Sequence, residues 1–223
     1  MRELWVDGID SGRGPKKNAL TPHKNGNDAR GSMVFGVMKI GLYGGTFDPI
    51  HHGHVILARE VREQLELDRV IFLPNIVSPH KLDRIPTAPE IRLEMVRAAV
   101  ADEPGLEVDD LELRREPPSF TIDTVRHYHS AFPKAELFYF IGADNLAALR
   151  TWKEIDSLKA MVRFVVFSRE VLDDASGFPV ITRRVDISST EVRTRVASGR
   201  SIRYLVPERV REIIAREKLY RNP

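Results

Sequence analysis

An α/β fold, with a doubly wound, mostly parallel sheet and helices on both faces, is the architecture this sequence predicts. Three observations carry the prediction. From Val37 onward, short β-rich runs alternate with stretches at helical spacing, and strands separated by helices favour a parallel sheet whose crossovers cover both faces. Leu137 to Ile141 (Leu-Phe-Tyr-Phe-Ile) is an unbroken apolar run, as expected of a strand buried on both sides. The chain has 223 residues, 42% of them hydrophobic, which is long enough to bury a core of that kind. The arrangement is Rossmann-like, and such sheets bind ligands beyond the strand C-termini, near the point where the strand order reverses. Functional residues are therefore expected directly after strands.

The elements follow in order. Val37 to Tyr43 reads as the first strand. Val55, Ala58, Val61 and Leu65 recur at the spacing of one helix face, and Arg69 to Leu73 (Arg-Val-Ile-Phe-Leu) is a second strand, so the three form a βαβ unit. Ile91, Met95 and Ala98 mark a second helix, and Leu106 to Val108 a short strand. Ile122, Val125, His129 and Phe132 mark a third helix, ahead of the Leu137 to Ile141 strand. Arg163 to Phe167 and Val180 to Val185 supply two more strands. A helix over Ser189 to Ala197 comes next, and a last one opens at Pro207, where proline suits a first turn.

Composition narrows the class. Residues 1–36 hold six of the fourteen glycines, with Asn, Lys and Pro between them and little apolar periodicity. They are expected to form a flexible, disordered N-terminal extension ahead of one domain over 37–223. A start upstream of a true start at Met33 or Met38, or a regulatory arm, would each account for them. Up to Val37 six Lys or Arg face four Asp or Glu, and from Met38 on 28 face 28. A neutral body lacks the cationic excess that nonspecific nucleic-acid binding needs, so no nucleic-acid partner is expected. The absence of cysteine excludes a disulfide framework, a thiolate nucleophile and a cysteine metal site. No run approaches the roughly 18 apolar residues of a membrane span, and the first residues lack a signal peptide's apolar stretch. A cytoplasmic protein without a membrane partner is expected, and assembly as a homo-oligomer is left open.

The densest chemistry follows the first strand: Gly41-Leu42-Tyr43-Gly44-Gly45-Thr46-Phe47-Asp48-Pro49-Ile50-His51-His52-Gly53-His54. The chain leaves a strand, turns through paired glycines and enters a helix with three histidines at or near its N-terminus. Glycines let backbone N–H groups approach an anion, and a helix N-terminus adds unpaired donors and a favourable dipole. This is phosphate-binding architecture, distinct from a GxGxxG fingerprint and from a Walker A loop, since no Lys in the chain is followed by Ser or Thr. His51 and His54, three apart, share one helix face, and their imidazole donors suit phosphate oxygens and the charge that builds when a phosphorus centre is attacked. Capping or a metal cluster is the plainer reading. Zinc is disfavoured because only two of these histidines share a face and no cysteine can complete a tetrahedron. A second segment, Ile187-Ser188-Ser189-Thr190-Glu191-Val192-Arg193, also follows a strand. Ser188 and Glu191 have capping-box spacing, which by itself accounts for a helix start. Ser189, Thr190 and their amides would add a second anion site, with the Arg193 guanidinium reaching the same phosphates.

Together these segments resemble the nucleotidyltransferase superfamily that carries HxGH and SSTxxR signatures. Further matches narrow the resemblance: Leu73-Pro74-Asn75 with Ser78-Pro79-His80-Lys81, Pro118-Ser119-Phe120-Thr121, Ile141-Gly142-Ala143-Asp144, Thr151-Trp152, and Tyr204-Leu205-Val206-Pro207. They make Lys39 to Tyr220 similar to the bacterial nicotinate mononucleotide adenylyltransferases. Two local departures are Phe120, where many relatives carry Tyr, and His52 at a variable position. The resemblance implies an enzyme of NAD biosynthesis that joins the AMP moiety of ATP to nicotinate mononucleotide and releases pyrophosphate.

The resemblance also implies residue roles. ATP would be held by Gly44, Gly45, Thr46, Phe47, His51 and His54, and closed upon by Ile187, Ser188, Ser189 and Arg193, with His51, His54 and Arg193 as the catalytic groups. The mononucleotide would meet Asn75 and Lys81 at its phosphate, Asp144 at its ribose and Trp152 stacked on the pyridine ring. Ser119 and Thr121 match the loop that reads the carboxylate through backbone N–H groups. The plainer roles for three of these are a helix N-cap for Asp144, a core anchor for Trp152 and a solvated surface position for Lys81. Mg2+ is expected to travel with the ATP phosphates, with no protein-held metal. The alternatives are adenylyl transfer to nicotinamide mononucleotide or phosphopantetheine, or a noncatalytic nucleotide-binding module. Class I aminoacyl-tRNA synthetases share HxGH, yet this chain has no KMSKS-like segment.

Overall fold

The strand that feeds the glycine turn lies inside the sheet, with a parallel neighbour on each side. The structure, a computed structural model, describes residues 36–76, 85–116, 119–170 and 177–221. Six strands, β1 (Lys39–Gly45), β2 (Arg69–Pro74), β3 (Leu106–Val108), β4 (Glu136–Gly142), β5 (Arg163–Ser168) and β6 (Val180–Thr182), pair in the spatial order β3-β2-β1-β4-β5-β6. Every pairing is parallel. This is the doubly wound order expected, and it reverses between β1 and β4, so the C-terminal ends of those two strands open the crevice.

Seven helices cover the sheet: α1 (His52–Gln64), α2 (Pro89–Val100), α3 (Thr121–Ala131), α4 (Ala143–Leu146), α5 (Ile155–Met161), α6 (Ser189–Ala197) and α7 (Glu208–Arg216), among the described residues. Side chains alternate between the two faces of each strand. Ile40, Leu42, Ile71, Leu73, Tyr139 and Ile141 pack with α3 and α5. Val70, Phe72, Phe138, Phe140 and Phe167 pack on the other face, where α1, α2, α6 and α7 contribute Val61, Met95, Val192 and Ile213. Both layers are nearly dry, which fixes the strand ends that carry the site.

The boundaries differ from the sequence expectation where a partner strand runs out. β6 stops at Thr182 rather than Val185 because Thr182 pairs with Ser168, the last residue of β5. β1 begins at Lys39, opposite Glu136 at the start of β4, and continues through Gly45, opposite Pro74. The short α4, a 3-10 turn at Leu149–Thr151 and α5 between β4 and β5 were not expected. Leu149 and Leu158 are the buried residues that these three elements contribute, too few to make a periodic stripe.

Residues 1–35 lie outside the described residues, and with them almost all of the expected flexible extension over 1–36. Among the described residues no helix is long and apolar enough to cross a membrane.

Candidate active site

β1 runs straight into Gly44-Gly45-Thr46, and the residue after the turn shapes it. Phe47 adopts φ 48, left-handed backbone that a non-glycine side chain occupies at a cost of order 1–3 kcal/mol. Its ring folds back beneath the turn, so close that a Cβ on Gly45 would lie 2.8 Å from it. The same ring meets His54 edge-on at 5.1 Å and Tyr43 at 5.5 Å. His54 is thereby held from below.

His51 occupies the N-cap position of α1, and its ring stacks on that of His54 with centroids 3.7 Å apart. His54 Nδ1 accepts a hydrogen bond from the His51 backbone N–H at 3.2 Å, which places the proton of the neutral His54 ring on Nε2. His51 is 6% exposed. Burial, then the charges of Arg169 and His52, hold its pKa down at about 4. His51 is therefore uncharged at neutral pH, and its ring serves the site as a hydrogen-bond donor, as expected of an imidazole there.

The second motif meets the first directly. Ser188 caps α6, its Oγ accepting from the Glu191 N–H at 3.1 Å, as the capping-box spacing implied. Ser189 Oγ donates to the Pro49 carbonyl at 2.8 Å, and Arg193 Nη1 donates to the Asp48 carbonyl at 2.7 Å. Segments about 140 residues apart in sequence thus form one wall. These two side chains fasten the turn rather than reach into open space.

One cavity of about 1320 Å³ takes in almost the whole prediction. A single small ligand needs roughly 300–1,000 Å³, so there is room for two. Gly44, Gly45, Thr46, Phe47, His51 and His54 line it beside Ile187, Ser188, Ser189 and Arg193, and Asn75, Ser119, Thr121, Asp144 and Trp152 line the remainder. Lys81 lies outside the described residues. His51 Nδ1, Asn75 Oδ1, Ser119 Oγ and Trp152 Nε1 are buried polar atoms without a hydrogen-bond partner, and all four belong to residues lining this cavity. Each such atom costs about 1–3 kcal/mol while unmet.

Trp152 is held edge-on by Tyr139 at 6.0 Å and Phe164 at 6.2 Å, so it both anchors the core and lines the cavity. Asp144 does not cap a helix. Gly142 holds the N-cap position of α4, and Asp144 sits in the first turn, where a Cβ on Gly142 would lie 2.3 Å from its carboxylate. Tyr139 was not anticipated. Its hydroxyl lies 3.4 Å from Thr121 Oγ1 and would be 2.5 Å from a Cβ on Gly44, so it stands between the two halves of the cavity. Arg169 and Arg183 also line the cavity, each just beyond a strand end. Position after a strand was the available signal for them.

A family model described as cytidylyltransferase-like matches residues 42–195. A protein of Exiguobacterium sibiricum named "Probable nicotinate-nucleotide adenylyltransferase" is 44% identical over 188 residues, covering 82% of this chain and 99% of that one. This chain belongs to the nicotinate-nucleotide adenylyltransferase family. A family member from Thermus thermophilus with the same printed name is 44% identical over 189 residues, covering 82% of this chain and 100% of its own. The fold of the family is seen in the Plasmodium falciparum nicotinic acid mononucleotide adenylyltransferase complexed with NaAD. That structure superposes with a TM-score of 0.68 at 18% identity, covering 82% of this chain and 97% of that one.

Proposed function

We propose that this nicotinate-nucleotide adenylyltransferase family member transfers AMP from ATP to nicotinate mononucleotide, forming nicotinate adenine dinucleotide and pyrophosphate. One observation carries the reading: the glycine turn with its stacked histidines, the cap of α6, and Asn75, Ser119 and Trp152 all line a single cavity with room for two nucleotides.

In the reaction an oxygen of the mononucleotide phosphate forms a bond to the α-phosphorus of ATP. The bond from that phosphorus to the bridging oxygen breaks, and pyrophosphate leaves with the electron pair. A phosphate monoester has its second pKa near about 6, so the attacking group is already largely dianionic and needs no strong base. The chain has two tasks, to align two mutually repelling anions and to stabilise charge on the leaving group. Amides of Gly44 to Thr46, His54 Nε2–H and the Arg193 guanidinium serve the triphosphate. Trp152 offers a rigid π-face to the pyridine ring, Asp144 the ribose contact, and Asn75 with Lys81 the acceptor phosphate.

Mg2+ would enter with ATP. The donors that the chain brings to the triphosphate are N–H groups, which fit phosphate oxygens and leave the cation to the phosphates themselves. Bound there, it would lower the charge on the leaving pyrophosphate.

The test is pyrophosphate release from ATP with nicotinate mononucleotide, nicotinamide mononucleotide and phosphopantetheine supplied in parallel. Release fastest with nicotinate mononucleotide is expected. Faster release with another acceptor reassigns the substrate, and ATP binding without release under any acceptor reduces the chain to a binding module.

A further inference from the structure

The phosphate turn is gripped from behind by groups that the proposed chemistry does not use. Arg92, on α2, is fully buried, and its guanidinium donates to three main-chain carbonyls: Thr46 at 2.6 Å, Thr87 at 2.8 Å and Ile76 at 3.1 Å. Asp48 is 4% exposed. Its carboxylate accepts from the Tyr220 hydroxyl at 2.6 Å and from the Thr87 N–H at 3.3 Å. Tyr220 lies beyond α7, 172 residues from Asp48 in sequence.

Between Thr46 and Asp48, each tied down by these bonds, stands Phe47 with its left-handed backbone. A non-glycine residue keeps such backbone where the surroundings over-determine it. Here the surroundings are Arg92 on one side of Phe47, and Tyr220, Thr87 and Arg193 on the other. The Phe47 ring in turn supports His54. A hydroxyl-to-carboxylate bond of 2.6 Å is short and charge-assisted, among the stronger bonds available to a neutral donor.

We propose that Tyr220 is a positioning residue for ATP: through Asp48 it fixes the Phe47 backbone, and with it the Gly44–Thr46 amides and the His54 ring that face the triphosphate. This rests on the reading that the turn holds ATP phosphates. The Tyr220 hydroxyl bonds the Asp48 carboxylate, which lies on the ATP side of the cavity. Arg92 reaches both halves, because Ile76 adjoins Asn75, and is therefore the less selective probe.

Tyr220→Phe keeps the ring and deletes the bond. ATP affinity is measured by calorimetry without acceptor, and KM for both substrates by pyrophosphate release. Kd and KM for ATP are expected to rise about five- to tenfold, from the loss of one bond to a charged group, with the mononucleotide KM within about twofold. Asp48→Asn keeps the shape, removes the charge and is read in the same way. In its background Tyr220→Phe should add less than about twofold to the ATP Kd. Unchanged ATP affinity in a folded Tyr220→Phe protein, whatever its melting temperature, overturns the proposal. So do equal losses for both substrates, and so does full additivity with Asp48→Asn. A natural protein that binds ATP but forms no dinucleotide refutes the functional reading alone, since the calorimetric comparison still decides the role of Tyr220.

Discussion

Acidification probes the burial of His51. In the unfolded chain an imidazole titrates near 6.5, whereas in the folded protein burial, aided by Arg169 and His52, holds this ring at about 4. Between those values the unfolded chain binds a proton that the folded chain does not. The stability attached to this group is therefore fully present above about pH 6.5 and is lost as the pH falls toward 4. The two pKa values give a loss of about 2 kcal/mol at pH 5, levelling near 3 kcal/mol below pH 4. His51→Asn removes the titration while keeping a polar residue suited to an N-cap. Urea unfolding of both proteins at pH 7.5 and pH 5.0 isolates the effect, because the other groups titrate in both and cancel. The natural protein should lose about 2 kcal/mol more than the variant over that interval. Equal losses would show that His51 is not held neutral by burial, and the donor role assigned to it would fall with that result. Bound triphosphate has the opposite sign to Arg169 and raises the same pKa. ATP binding below pH 6.5 should then take up more protons in the natural protein than in His51→Asn, measured calorimetrically in buffers of different ionisation heat.

The remaining predictions address the two halves of the cavity. Trp152→Ala should weaken mononucleotide binding by about 1–3 kcal/mol and leave ATP affinity nearly unchanged in equilibrium titrations; equal weakening of both would remove the stacking role. His54→Ala should lower kcat by roughly 10²-fold and, by deleting the bond from the His51 N–H, cost about 1–2 kcal/mol of stability; full turnover in the folded variant would count against a part in charge stabilisation. Gly45→Ala sets a methyl group 2.8 Å from the Phe47 ring and should destabilise the fold by about 1–3 kcal/mol, with ATP affinity falling more than mononucleotide affinity. Chelation of Mg2+ should stop dinucleotide formation without shifting the melting temperature of the ligand-free protein; turnover that survives chelation contradicts a cation carried by ATP.

The strands were legible because strands buried on both faces are nearly continuous apolar runs, so composition alone marks them. Their ends were less so, since β6 stops where β5 does and nothing within Val180 to Val185 records the length of a neighbour. The two segments proposed to bind anions stand out for a local reason: paired glycines, helix-start histidines and a Ser-x-x-Glu cap each occupy a few consecutive residues. Their mutual contact does not, because Ser189 and Arg193 meet Pro49 and Asp48 only after folding. Arg92 lies on the buried stripe of α2 with Met95, Val96 and Val100, where periodicity registers it as an interruption, and its three carbonyl partners lie outside that helix. Tyr220 and Asp48 carry no local signal of pairing at all.

The charge pattern explains how a body with no net charge can still draw anions. At the surface, arginines meet carboxylates, as Arg114 does with Asp110, Arg126 with Glu154, Arg163 with Glu136, and Arg216 with Glu94. Arg92 behind the turn, and Arg169 and Arg193 at the cavity, instead donate to main-chain carbonyls of Thr46, Ile187 and Asp48, while Arg183 at the cavity meets Glu60. A carbonyl carries a dipole and no net charge, so each guanidinium keeps its full field where phosphate is to bind. The contact also polarises the peptide. Arg92 pulls on the Thr46 carbonyl, and the N–H on the far side of that peptide belongs to Phe47, in the turn itself, which becomes a stronger donor. The Asp48 carboxylate, bonded by the neutral Tyr220 hydroxyl and the Thr87 amide, keeps its charge by the same reasoning and offsets part of this field. A buried imidazole with its pKa at about 4 fits the same scheme: the site at rest presents oriented N–H groups backed by arginines held on carbonyl oxygens. Such donors are already in place when charge develops on the leaving pyrophosphate, so they need no reorganisation at that step.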